Sequence, residues 1–275
     1  MMIRIMGRRT VTSYIAWMLV SCLTVIGCSA EPSSNSSTST DRQEAIALTI
    51  SAAASMQDAL NAIQIIYEEN YPGNTLVYNF ASSGSLQQQI EQGAPVDVFL
   101  SASPKQMNAL EEKSLLLDGT RQDLLKNTIV LVTPLEQSAI TSFDDLSKDV
   151  VTQLSIGEPN SVPAGQYSRE VLESLGLYQS IQAKTVFAKN VRQVLSYVET
   201  GNVDAGLIYS TDANISEQVQ IVETAPDDAH SPIVYPGAVI ADSQHPAAAT
   251  EFVQFLGTQE AIAIFIDYGF LPAAQ

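Results

Sequence analysis

The chain has 275 residues and carries 13 Lys and Arg against 30 Asp and Glu, a formal net charge of −17 at pH 7. So acidic a balance excludes nucleic-acid binding, which needs a basic footprint. With two cysteines and two histidines, the sequence offers neither a disulfide framework nor a metal-ligand cluster.

The first segment does not read as folded structure. Arg4, Arg8 and Arg9 form a basic region, and an apolar run follows over residues 14–26. That run is short for a spanning helix, which needs about 20 apolar residues. Val25-Ile26-Gly27-Cys28 closes it as a lipobox. Residues 1–27 are therefore expected to be an export signal and Cys28 the lipidated first residue of the mature chain. A plain signal anchor, or cleavage near Ala30, are the other readings of the same run. Cleavage before Cys28 removes Cys22 and three of the 13 basic residues but no acidic one, so the mature chain has a net charge of −20. Several acyl chains on one cysteine suffice for stable anchoring. The Ser/Thr-rich stretch 31–40, EPSSNSSTST, cannot bury a core and is expected to be flexible, so residues 28–43 form the anchor and its tether. The chain is thus expected on the periplasmic or extracellular face of a membrane.

From residue 45 strand-like and helix-like segments alternate. A short β run over 46–50 precedes a segment that opens at Ser55 and places Ala59, Leu60, Ile63, Ile66 and Tyr67 on one helical face. The turn cluster 70–74 follows, then a strand over 76–80, a helix over 85–92 stopped by Gly93, and a strand over 96–101. Ser103-Pro104 sets a capping residue before a proline at the first helical position. Further strands are expected over 128–133, 154–156, 183–187, 205–209 and 233–241, and helices over 164–175, 191–200, 246–256 and 259–268. Repeated β-α-β units imply an α/β protein with parallel-rich sheets flanked by helices.

Four Ser-, Ala- or Gly-rich segments stand at strand-to-helix junctions: Ala52-Ala53-Ala54-Ser55, the run 80–85 (FASSGS), the run 157–165 (GEPNSVPAG), and Lys189-Asn190-Val191. In an open α/β sheet, ligands bind beyond the carboxyl ends of the strands. Helix N-termini placed there offer unpaired N–H groups and the positive end of the helix dipole. Singly, each junction is weak: Ser55, Ser83 or Asn190 is most often an N-cap, and Tyr209 is most often a packed aromatic with its hydroxyl at the rim. Together, with no basic residue in the first three, they suggest a small anion held by neutral dipoles.

The pieces AAAS, FASSGSL with a Gln-rich helix, GAPVDVFLSA, GEPNSVPAGQY, NVRQVL, GLIYSTDA and a terminal YGF make the chain similar to the bacterial periplasmic molybdate-binding proteins from about Leu48 to Leu271. The resemblance implies a two-lobed type II periplasmic-binding-protein fold, each lobe a mixed, mostly parallel sheet flanked by helices. Lobe 1 would span 44–127 plus 233–275 and lobe 2 would span 128–232. It also implies the binding residues: Ser55 and Ser83 giving hydroxyl and N–H donors, Ala164 and Val191 giving backbone N–H groups, and Tyr209 giving its phenol. The ligand implied is molybdate or tungstate, with no cofactor and no direct metal-cation ligand. The partners implied are an ABC permease and its cytoplasmic ATPase, and the protein is expected to be a monomer. Two departures stand out: Gly84, where serine is frequent, which would loosen its loop, and Met56, which should matter little.

Molybdate carries no proton at neutral pH, so its site needs donors only. No Asp or Glu stands at a proposed ligand position. Glu158 reads as a solvated loop charge, and Arg192 as a surface or supporting residue, because adjacent helical residues point to different sides. Hydrogen bonds to an ionised acceptor are worth about 1.5–3 kcal/mol each, whereas long-range repulsion is screened beyond about 8 Å. A receptor for sulfate, phosphate or a small carboxylate is the competing reading, although a carboxylate would call for an Arg clamp. An enzyme has little support. His230 and His245 lie in polar loops with no Ser-His-acid spacing.

Overall fold

The computed structural model describes residues 45–136 and 139–273. The expected signal, Cys28 and the Ser/Thr-rich tether lie outside the described residues.

The first sheet grows from β-α-β units. Strand β1 (Ile46–Ala53) is followed by a tight turn over Ala54–Met56 and helix α1 (Gln57–Asn70), then by β2 (Asn74–Ala81), α2 (Ser83–Glu91), β3 (Val98–Leu100), α3 (Pro104–Glu112) and β4 (Gln122–Lys126). Helix α1 buries Ala59, Leu60, Ile63 and Tyr67, the stripe its spacing predicts, while Ile66 is only partly buried. Met56 is fully buried in the core, so this residue, expected to matter little, packs beneath the first junction. Alternation along β3 serves two apolar layers. Val98 and Leu100 face the main core, and Phe99 packs on the other side with Leu86, Ile90, Met107 and Leu110 of α2 and α3.

The chain crosses at Asn127 into a second sheet. This part contains β5 (Ile129–Pro134), β6 (Leu154–Gly157), α4 (Pro163–Ser174), α5 (Tyr178–Ile181), β7 (Thr185–Ala188), α6 (Val191–Glu199), β8 (Ala205–Tyr209), α7 (Ser210–Asn214) and β9 (Val219–Thr224). It then returns through β10 (Val234–Val239), α8 (Pro246–Leu256), α9 (Gln259–Asp267) and β11 (Leu271–Pro272). Strand order is β11-β4-β10-β3-β1-β2 in the first sheet and β7-β6-β8-β5-β9 in the second.

Both sheets are mixed. Pairing is parallel where β-α-β units build them, at β1–β2, β1–β3, β6–β7 and β6–β8. It is antiparallel where β10 meets β3 and β4, where β5 meets β8 and β9, and where β11 meets β4. The parallel share is thus confined to the β-α-β strands. A strand arriving from the other sheet starts where those strands finish, so it runs against them.

Strands β4, β9 and β11 and helices α5 and α7 are absent from the sequence expectation. β4 is bounded by Gln122, Asp123 and Lys126 and buries Leu124 and Leu125 side by side, which hides the period-two signal. β9 is an edge strand with Ile221 exposed. The helix expected from residue 85 begins at Ser83, because Ser82 and not a later serine takes the capping role.

One close contact sets the second sheet against its helix. A Cβ on Gly165, in the first turn of α4, would stand 2.0 Å from the carbonyl oxygen of Gly157 at the end of β6. Backbone meets backbone there, so nothing can rotate aside. Gly165→Ala is expected to cost about 1–3 kcal/mol of stability through overpacking, read as a lowered midpoint in urea denaturation.

Candidate functional site

The residues that close β1, β2 and β8 and open α2, α4 and α6 line one cavity. Ser55, Ser83, Ala164, Val191 and Tyr209 are all among them, and none is more than 4% exposed. Among the described residues, no charged side chain lines this cavity. The first sheet contributes Ala53–Ser55, Ala81–Ser83 and Ala102, and the second contributes Val162–Ala164, Asn190, Val191 and Tyr209.

The donors follow from helix geometry. The first-turn N–H groups of a helix have no acceptor within it. In α2, the Ser85 N–H goes to the Ser82 hydroxyl at 3.3 Å and the Gly84 N–H to the Ser161 carbonyl at 3.0 Å, which leaves that of Ser83. In α4, Pro163 has no N–H, so Ala164 carries the first. In α6, the Gln193 N–H goes to the capping Asn190 side chain at 2.9 Å, which leaves those of Val191 and Arg192. Three helix N-termini therefore turn their positive ends on one buried point.

The side chains add to this. The Ser83 hydroxyl oxygen accepts the Ala102 N–H at 2.9 Å. The Ser55 hydroxyl lies 3.0 Å from that of Tyr235 on β10. Tyr209 donates to the Ala102 carbonyl at a long 3.4 Å, and burial pushes its phenol well above the ordinary value, so it stays a donor. The N-cap reading fits Ser82 and Asn190 but neither Ser55 nor Ser83.

Gly84 does not loosen its loop. A Cβ there would meet the Ser161 carbonyl oxygen at 2.4 Å, on the same approach that makes the 3.0 Å hydrogen bond between the two halves. The glycine is what permits this contact.

Of the two roles expected for Arg192, the structure shows the supporting one, with 22% of its side chain exposed. Its guanidinium reaches Asp58 of α1 at 2.7 Å and the fully buried Asp212 of α7 at 2.5 Å. It also donates to the Ser55 carbonyl at 3.4 Å. Its charge is thus offset by two carboxylates from distant helices, which no local spacing singles out. The pairing with Asp212 is short but off-axis, and both Asp212 oxygens lack an in-line hydrogen bond among the described residues. Glu158 is half-buried and accepts from the Asn160 side chain at 3.1 Å, shaping its own loop rather than the cavity. His230 and His245 are partly buried and neither lines the cavity.

Burial raises the Asp212 carboxyl to about 6 against the opposing pull of Arg192. The folded chain then takes up this proton near pH 6, whereas the unfolded chain does so near 3.8. Folded protein binds more protons between those values, so this group favours folding increasingly as pH falls through that window. The stability of the wild type relative to Asp212→Asn is expected to rise between pH 7 and pH 5 in denaturant titrations; a flat difference would contradict this.

The sequence matches the bacterial extracellular solute-binding protein family over residues 48–271. It is 46% identical over 253 residues to YvgL of Bacillus subtilis (strain 168), named as a candidate ABC transporter substrate-binding lipoprotein, covering 92% of this chain and 95% of that protein. It is 39% identical over 228 residues to the molybdate-binding protein ModA of Haemophilus influenzae, covering 81% and 89% respectively. Among solved structures, the substrate-binding domain of a candidate molybdenum ABC transporter from Clostridium difficile superposes with a TM-score of 0.66 at 41% identity, covering 83% of this chain and all of that one. This is a family of receptors rather than enzymes, and its fold is the two-lobed α/β arrangement described above. The chain belongs to the bacterial extracellular solute-binding proteins.

Proposed function

We propose that this chain is the extracytoplasmic receptor of an ABC importer and captures molybdate, with tungstate as a near-isosteric second ligand, in the cavity between its two sheets. The observation that carries this reading is a cavity whose lining residues are largely buried, offer hydrogen-bond donors and, among the described residues, include no charged side chain. A fully deprotonated dianion suits such a lining. Ser55 and Ser83 would give hydroxyl and N–H donors, Ala164 and Val191 backbone N–H groups, and Tyr209 its phenol. The names of the relatives point the same way.

Sulfate is the nearest competitor, because it is also an unprotonated dianion. Discrimination against it then rests on size, since Mo–O bonds are longer. Phosphate keeps a proton at neutral pH and would want an acceptor in the cavity. Among the described residues one side-chain carbonyl lines the cavity, that of Asn190, and it is engaged in capping α6 through the Gln193 N–H at 2.9 Å.

On this reading lobe 1 comprises residues 44–127 with 233–275, lobe 2 comprises 128–232, and the lobes close on the ligand. A permease and its cytoplasmic ATPase receive the cargo. Cys28, lipidated after removal of residues 1–27, holds the receptor at the membrane, and 28–43 act as the tether.

Calorimetric titration with molybdate, tungstate, sulfate and phosphate is the direct test, and absence of molybdate binding would refute the assignment. Ser83→Ala and Tyr209→Phe are each expected to weaken molybdate binding by about 10-fold or more, the worth of a hydrogen bond to an ionised acceptor. Unchanged affinity in both would remove the residue assignment. Cys28→Ser is expected to abolish acylation, read by metabolic labelling with a radioactive fatty acid; continued incorporation would place the anchor elsewhere.

A further inference from the structure

A donor-only cavity needs its serine hydroxyls to point their hydrogens inward, yet a hydroxyl can rotate and accept as readily as it donates. For Ser83 the direction is fixed by the backbone. Its oxygen accepts the Ala102 N–H at 2.9 Å, so its own hydrogen is free for the cavity. For Ser55 the neighbour is the Tyr235 hydroxyl at 3.0 Å, and either atom of that pair could donate. What settles the direction lies one residue further back.

Asn127 stands where the chain crosses from the first sheet to the second. Its side-chain oxygen accepts the backbone N–H of Thr128 at 2.9 Å and the Ser210 hydroxyl at 3.1 Å. A backbone N–H can only donate, so this bond identifies the amide oxygen and leaves the nitrogen on the other side. That nitrogen donates to the Thr211 hydroxyl at 2.9 Å and to the Tyr235 hydroxyl at 3.2 Å. The amide is then fully satisfied, two bonds accepted and two donated. Tyr235 is fully buried and its ring is held edge-on by Tyr209 and Phe270. With its oxygen accepting from Asn127, its own hydrogen has the Ser55 oxygen at 3.0 Å, while the Tyr209 hydroxyl, also beside it, is drawn toward the Ala102 carbonyl. Leaving that hydrogen unpaired would incur the penalty of a buried orphan donor.

We propose that Asn127 and Tyr235 are positioning residues that fix the Ser55 hydroxyl as a donor into the cavity, through a one-way relay from the Asn127 amide to the Tyr235 hydroxyl to Ser55. The relay makes Ser55 match Ser83, so that both cavity serines meet an unprotonated oxyanion with hydrogen and neither meets it with a lone pair. It also ties the site to the crossover, because Asn127 holds Ser210 and Thr211, the two residues that follow Tyr209. This inference rests on the proposed reading of the cavity as an oxyanion site.

A double-mutant cycle tests it on the full-length protein, with molybdate as the probe. Wild-type binding is measured first, so a wrong ligand assignment shows before any variant is compared. Tyr235→Phe removes the donor to Ser55 and is expected to weaken molybdate binding about five- to tenfold, the worth of one hydrogen bond. In a Ser55→Ala background the same change is expected to cost less than about twofold, because the residue through which it acts is gone. A merely structural Tyr235 would cost the same in both backgrounds, and that result, or wild-type affinity in Tyr235→Phe, overturns the relay.

Asn127→Asp gives a second arm should Tyr235→Phe fold poorly. It keeps the shape but replaces the amino donor by an acceptor, so the Tyr235 hydrogen turns to residue 127 and Ser55 must donate backwards. A larger loss than in Tyr235→Phe is expected. The Ser55→Ala background again cancels what the added charge does through space, so an equal loss in both backgrounds counts against the relay. Competition at pH 8 between molybdate and hydrogen phosphate, both dianions there, adds a readout of direction. The ratio of their affinities is expected to fall in both variants, and an unchanged ratio would contradict the reversed hydroxyl.

Discussion

A helix begins with N–H groups that nothing inside the helix can satisfy. In this protein that constraint is concentrated at one place, where α2, α4 and α6 start around a common buried cavity. Capping by Ser82 and Asn190 satisfies one donor in each of two helices, and Pro163 removes one in the third. The donors that remain point where the strands end. Small residues at the junctions follow from this: Ala53, Ala54, Ala81, Ala102 and Ala164 let the backbone itself form the wall. Gly165 lets α4 sit against the end of β6, and Gly84 lets the first half of the molecule touch the second.

The electrostatics of the site and of the whole chain are separate matters. A chain with 30 acidic residues repels anions at long range, but that repulsion is screened over about 8 Å at physiological salt. The described residues that line the cavity contribute dipoles and no formal charge. Arg192, which follows the cavity residue Val191, forms ion pairs with the carboxylates Asp58 and Asp212 and donates to a carbonyl of the first junction. Its role is to join α6 to α1 and α7 beside the cavity rather than to supply free charge. Burying Asp212 to do so costs enough to raise its carboxyl to about 6, so this pairing serves geometry at some expense in stability.

Behind the dipoles lies a layer of hydrogen bonds whose direction counts as much as their number. Ser83 is directed by a backbone N–H. Ser55 sits at the end of a series of side-chain hydroxyls and an amide that leads to the crossover between the sheets. A hydroxyl takes its sense from its partners, so the chemistry of the cavity wall is set partly by residues that do not line it.

The sequence by itself determined the alternation of strands and helices, because apolar spacing is local: the α1 stripe, the Ser103-Pro104 start of α3 and the strand ending at Tyr209 all lie where their residues predict. It also singled out Ser55, Ser83, Ala164, Val191 and Tyr209, since small residues at a junction and a motif resemblance are both local signals, and the fold brings all five to one cavity. Strands β4 and β9 were not legible: β4 buries Leu124 and Leu125 side by side, and β9, at the edge of its sheet, leaves Ile221 exposed, so neither shows the alternation of a half-buried strand. Only the tertiary structure decided what Gly84, Arg192, Asp212, Tyr235 and Asn127 do. Each acts through a partner far away in the chain, the Ser161 carbonyl, Asp58 or the Ser55 hydroxyl among them, and a contact between distant segments leaves no spacing in the sequence to be read.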